Sequence, residues 1–177
     1  MGEPEVDLGA VFDAHVKAEF VDLDVDAAMA TMTPHPYLTH LPSLTGGYGH
    51  DVLRAFYRDH FIGKWPADTE TEEVSRTIGD NRLVDEMILR FTHDIEMDGI
   101  LPGLAPTGRF VEMALAVVVD FEDGKISAER IYWDQASVLV QLGLLDPTGL
   151  PVTGADQAQT VKDPTRPRNR LLGEPVE

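Results

Sequence analysis

The apolar residues of this chain change period once, and that change limits the folds open to it. From Leu8 to Phe61 they recur at the three-, four- and seven-residue steps of a helix face. Leu8, Val11, Phe12, His15, Val16 and Phe20 make one stripe, with Asp7 placed to cap it. A short helix from Asp26 to Met32 ends before Pro34 and Pro36, and Val52, Leu53, Phe56, Tyr57 and Phe61 make a third. After Pro66 the period is two. Residues 70–78 read as a polar edge strand. Leu83, Met87, Leu89, Phe91, His93, Ile95 and Met97 share one face of a strand over 82–97, and residues 109–121, apolar on both faces, suit a central strand. Asp123-Gly124 is a tight hairpin turn into a last strand ending in Tyr132-Trp133-Asp134, and a helical pattern follows at once. Helices, a strand meander and a terminal helix in that order imply an α+β fold. The N-terminal helices then pack on the concave face of a curved antiparallel sheet.

Residues 1–146 read as one such domain. Residues 147–177, rich in proline, read as a C-terminal extension that is either disordered or strapped over a partner. Tyr37 to Leu41 reads as a short extended segment, and Gly46-Gly47-Tyr48-Gly49 as a loop. The latter lacks the lysine and hydroxyl residue that end a phosphate-binding loop.

A formal charge of −17 disfavours nucleic acid and anionic membrane as partners. The absence of cysteine removes disulfides and thiolate chemistry and fits a cytoplasmic protein. No apolar run reaches the ~20 residues of a membrane helix. The spacing of the histidines matches no metal motif, so neither a metal nor a cofactor is expected.

Chemistry is sought on the last two informative strands. If Asp134 faces inward, alternation brings Tyr132, Arg130, Ala128 and Ile126 with it and turns Ile131 and Trp133 outward. An outward tryptophan needs cover, which predicts a homodimer packed sheet to sheet through Ile131 and Trp133. The cup would then hold Asp134 and His93 as catalytic candidates, with His40, Tyr37, Tyr132, Arg130, Phe91 and Met113 lining a substrate site. A carboxylate in apolar surroundings is a stronger base, and His93 could orient it or stabilise an enolate oxygen. Both have plainer readings: Asp134 as the cap of the last helix, His93 as a core histidine.

The phrases Phe91-Thr92-His93, Pro106-Thr107-Gly108-Arg109, Asp123-Gly124-Lys125-Ile126 and Tyr132-Trp133-Asp134, in this order, resemble the nuclear transport factor 2-like superfamily. Within it the chain is similar to the SnoaL-like polyketide cyclases over roughly residues 8–146. The resemblance implies a cone-shaped α+β barrel with one deep pocket, often dimeric, and an acid at the end of the last long strand as general base, the place held by Asp134. It implies a cofactor-independent lyase, cyclase or isomerase acting on an apolar, carbonyl-containing molecule. The alternative is a protein that binds an apolar small molecule or a partner chain without catalysis.

Overall fold

The computed structural model describes residues 6–173. Helix α1 (Leu8–Lys17) begins where Asp7 Oδ1 accepts from Ala10 N at 3.0 Å. Beyond Lys17 it widens into a π turn, Ala18–Asp22, which stops at Leu23 in the left-handed region, φ 52°. Helix α2 (Val25–Ala30) is capped by Asp24. Strand β1 (Met32–His40) absorbs both prolines and is longer than the expected Tyr37–Leu41 segment. Its pairing is irregular between Met32 and Tyr37, where the prolines lie and cannot donate to a ladder.

The glycine-rich stretch is largely strand. Strand β2 (Thr45–Tyr48) folds back on β1, with Leu38 opposite Gly47 and Thr39 opposite Gly46. A Cβ at Gly46 would stand 2.1 Å from Leu38 O, and its φ is 131°, so this close return requires glycine. Helix α3 (His50–Phe56) also runs into a π turn, Tyr57–Phe61.

Strands β3 (Glu70–Ile78), β4 (Arg82–Thr92), β5 (Phe110–Glu122) and β6 (Lys125–Trp133) complete one six-stranded sheet, ordered β2-β1-β6-β5-β4-β3. As the sequence predicts, β3 is a polar edge, β5 is interior, and Asp123-Gly124 joins β5 to β6, both residues at positive φ. Strand β4 stops at Thr92 rather than Met97. The sheet is not wholly antiparallel, because β1 runs parallel to β6. It curves without closing, and β2 and β3 remain as edges.

The helices bury their apolar stripes on one face of the sheet. Phe12, Met29, Leu53 and Tyr57 meet Leu83, Val119 and Ile126, each fully buried large side chain contributing roughly 2 kcal/mol. A polar latch ties β3 to β4 and α1. Arg76 donates to both oxygens of Asp85 at 2.7 Å and to Asp13 at 2.8 Å, and the Asp85 side chain is only 1% exposed. Arg76→Ala leaves that carboxylate buried without a cation and should cost about 3 kcal/mol in urea denaturation.

Within the C-terminal extension one helix packs on the chain's own sheet. Helix α4 (Gln135–Gln141) and helix α5 (Asp156–Lys162) both lie against β5. Ala158 is fully buried, and Lys162 pairs with Glu72 of β3 at 2.8 Å. Among the described residues no helix is long and apolar enough to cross a membrane.

Candidate active site

Between the helices and the sheet lies a cavity of about 90 Å³. Its walls are apolar and aromatic: Phe12, Phe20, Phe61, Trp65, Met113 and Trp133 are among them. Only a few polar groups reach it, notably Glu19, His40 and Glu129.

Strand β6 supplies the cavity from the parity opposite to that expected. Asp120 faces Ala128 but Phe121 faces Ile126, so Ser127 is an extra residue on β6. A bulge of one residue exchanges the two faces for everything that follows. Glu129, Ile131 and Trp133 therefore point inward, opposite Val119, Val117 and Leu115. Arg130 and Tyr132 point away. Arg130 pairs with Asp120 at 2.8 Å and donates to Tyr37 Oη at 2.6 Å, and Tyr132 is 43% exposed. This corrects Tyr37, Arg130 and Tyr132 as lining residues. It also removes Ile131 and Trp133 from the outer face on which the sheet-to-sheet dimer was expected.

Asp134 lies outside the cavity and caps α4. Its carboxylate accepts from Ala136 N at 2.9 Å, from Ser137 N at 3.3 Å, from Ser137 Oγ at 2.8 Å, and from Gln157 Nε2 of α5. Partial burial disfavours its charge, but the bonds from Gln157, Ser137 and Ala136 outweigh that and hold it below the usual carboxylate range. A low pKa and full hydrogen bonding are the opposite of what a base needs. Asp134→Ala should cost about 1–2 kcal/mol in denaturant melts through loss of the cap.

His93 is fully buried beyond the end of β4 but does not line the cavity. Its backbone pins the 94–108 loop: N donates to Arg109 O at 2.9 Å, and O accepts from Thr107 N and Gly108 N. Its Nδ1 is 3.3 Å from Thr107 Oγ1, and Nε2 has no partner. Phe91 is buried in a second cluster with Met97, Leu101 and Val138. Of the expected lining residues, His40 and Met113 do face the cavity.

The cavity floor holds an ionisable cluster. His15 Nε2 lies 3.1 Å from Glu19 Oε1, 3.1 Å from Glu129 Oε1 and 3.2 Å from Tyr57 Oη. Its Nδ1 lies 2.8 Å from Thr31 Oγ1, whose hydroxyl donates to Ala28 O, so Nδ1 donates to Thr31. All four side chains of the cluster are buried. One Nε2–H cannot serve three oxygens at once. Oε1 of each glutamate is close to it but poorly aligned, and is left without a hydrogen-bond partner. Burial opposes charge on His15, but Glu129 and Glu19 outweigh it and raise its pKa well above 6.5. Burial pushes the Glu19 carboxyl up, His15 pulls it down, Glu129 pushes it up again, and the net direction is upward. Burial together with the charges of Glu129 and Glu19 raises Tyr57. The cluster thus holds one imidazolium between two carboxyls that compete for one donor.

His40 stands on the adjoining strand, opposite Ile131, its ring 5.7 Å from Trp133 and 5.5 Å from Phe61. Thr45 Oγ1 donates to Gly99 O, so it accepts from His40 Nδ1 at 3.0 Å, and His40 Nε2 carries the free lone pair. Burial lowers its pKa to about 4, against a smaller upward push from the Gly99 carbonyl. A depressed histidine contributes stability that is present above pH 6.5 and lost as the pH falls through about 4. This component is about 3 kcal/mol. His40→Gln should lack it, which denaturant melts at pH 7 and pH 4 would measure.

None of the Glu19, Glu129, His15 and Tyr57 cluster was among the residues expected from sequence. A signal for part of it was present: His15 and Glu19 are four apart on the first helix, and His15 lies within its apolar stripe.

A family profile described as SnoaL-like polyketide cyclase matches residues 18–142. Among solved structures, an NTF2-like protein of unknown function from Burkholderia pseudomallei is 21% identical with a TM-score of 0.57, over 76% of this chain and 96% of that one. A Jannaschia protein assigned to the SnoaL-like polyketide cyclases is 16% identical with a TM-score of 0.58, over 82% and 99%. An epoxide hydrolase/cyclase-like enzyme of pyran ring formation in the polyether salinomycin is 15% identical with a TM-score of 0.53, over 72% and 91%. No curated protein sequence matches the chain. Its curved sheet, the helices across it and the profile match over most of its length agree: the chain belongs to the SnoaL-like polyketide cyclase family and shares the fold of NTF2-like proteins.

Proposed function

We propose that this protein is a cofactor-independent cyclase or isomerase that moves a proton on a small, apolar, carbonyl-containing molecule. The observation that carries the reading is the pair of buried carboxyls, Glu19 and Glu129, which both line an apolar cavity and flank His15, the Oε1 of each 3.1 Å from its Nε2. The general base assigned by sequence to Asp134 is reassigned to this pair, since Asp134 caps a helix outside the cavity.

The two acids take different parts. Burial raises the Glu19 carboxyl above the usual carboxylate range, which favours its protonated form, and a protonated carboxyl can donate to a carbonyl oxygen. Glu129, its Oε1 3.1 Å from His15 Nε2, takes the part of the base and removes the hydrogen α to that carbonyl. The enolate is then stabilised by the Glu19 proton and by the positive charge of His15. Opposite, His40 Nε2 offers only a lone pair, so it favours a ligand with a hydrogen-bond donor at that end. The names of family neighbours, a polyketide cyclase and an epoxide hydrolase/cyclase-like enzyme, are consistent with carbonyl or ring chemistry. A cytoplasmic location belongs to the same reading.

The test is hydrogen–deuterium exchange at the α-carbon of cyclohexanone in D2O, followed by NMR. Exchange faster than the buffer rate, and dependent on Glu129, supports the proposal. Exchange at the buffer rate with tight binding of the ketone favours a binding protein instead.

A further inference from the structure

The cavity is small, and beside it lies a much larger surface groove of about 560 Å³. The two share Val16, Phe20, Trp65 and Thr71. Phe20 and Trp65 are therefore the partition between them, and their rings meet with centroids 5.3 Å apart. We infer that the groove is the outer half of a two-part binding site, holding the apolar ring body of the molecule whose carbonyl end enters the cavity past Phe20 and Trp65. The inference rests on the carbonyl reading above for the inner end only.

Three observations point to this occupant. The π turn that places Glu19 in the cavity and Phe20 at the partition also turns Val21 and Leu23 out onto the groove, 69% and 55% exposed. Large apolar side chains left uncovered beside a cavity mark a binding surface. The groove is also almost free of charge. The chain has 31 acidic residues, yet none lines it, and its one charged group, Lys17, is paired with Asp22. The remaining wall, Gly63, Pro66, Ala67 and Thr69, is small and uncharged. A π turn inserted in a helix frequently marks a functional site, and here one such turn positions the acid, the partition and the groove.

The chain has two tryptophans, so the Trp133 indole N–H reports the cavity alone and the Trp65 indole N–H reports the wall that cavity and groove share. With the full chain, 4-phenylcyclohexanone should bind at least about tenfold more tightly than cyclohexanone, from the apolar area its ring buries. Val21→Asp and Leu23→Asp change exposed positions and should fold normally. Each should remove that gain while leaving cyclohexanone affinity within twofold. Equal affinities for the two ketones, or a gain that survives both substitutions, would overturn the inference. Naphthalene, which has no carbonyl, reads the groove alone. It should move the Trp65 resonance in the wild-type chain and not in Val21→Asp, whatever the ketones do. If naphthalene behaves so while neither ketone moves Trp133, the carbonyl reading fails and the groove stands. If naphthalene leaves Trp65 unmoved, the groove fails.

Discussion

Glu129→Gln lowers the rate of α-hydrogen exchange on cyclohexanone by about 10³-fold, within the span of 10²–10⁴ that a positioned general base contributes. The amide keeps the volume of the acid and its place opposite Val119 and Leu38, so the cavity keeps its shape. Glu19 still faces His15 at 3.1 Å, so the imidazole keeps one of its two carboxyl neighbours. What is lost is the carboxylate assigned to take the substrate proton. Binding of the ketone should change little, and the effect should fall on kcat rather than KM.

His15→Leu has the largest expected effect on stability, a loss of about 3–5 kcal/mol near neutral pH. His15 is the only cation among the buried groups at the cavity floor, and its removal leaves Glu19, Glu129 and Tyr57 to share that space without one. The sign of the pH dependence follows from the raised values. His15, raised above 6.5, contributes stability that is complete below pH 6.5 and lost as the pH rises through its folded value. Glu19, raised above 4.5, likewise favours the fold most below pH 4.5 and less as the pH rises through its own folded value. The deficit against wild type should therefore be full at pH 6.5 and narrow as the pH rises through the folded value of His15, as denaturant melts across that range would show. A deficit below about 1 kcal/mol at pH 7 would mean that His15 is neutral and the cluster uncharged.

Much of the architecture was legible because it depends on period and turn chemistry. The switch from helical spacing to alternation after Pro66 located β3 to β6, and Asp123-Gly124 located the last hairpin, whereas β1 and β2 lie before the switch. The site was not legible, for two local reasons. Alternation counted back from an inward Asp134 put Arg130 and Tyr132 inside and Ile131 and Trp133 outside, whereas Asp134 caps a helix and the bulge at Ser127 gives β6 the opposite parity. The π turn at Ala18–Asp22 lies at the end of an otherwise ordinary helix stripe, and periodicity gives no weight to the glutamate it buries. Both irregularities lie at the cavity, one in each of the elements that carry its two carboxyls. Glu129 alone looks like a surface acid in a chain with an excess of them; only the bulge makes it a core residue. The strap formed by α5 was missed for a different reason. Its contacts, from Lys162 to Glu72 and Gln157 to Asp134, are between residues distant in sequence and leave no local pattern.

The most direct test of the account compares Asp134→Asn with Glu129→Gln in the same exchange assay. An asparagine side chain in place of Asp134 can still accept at the helix cap, so the fold is retained and the exchange rate should stay within a few-fold of wild type, while Glu129→Gln falls by about 10³. The reverse pattern, with Asp134→Asn inactive and Glu129→Gln active, would contradict the placement of the chemistry at Glu19, Glu129 and His15.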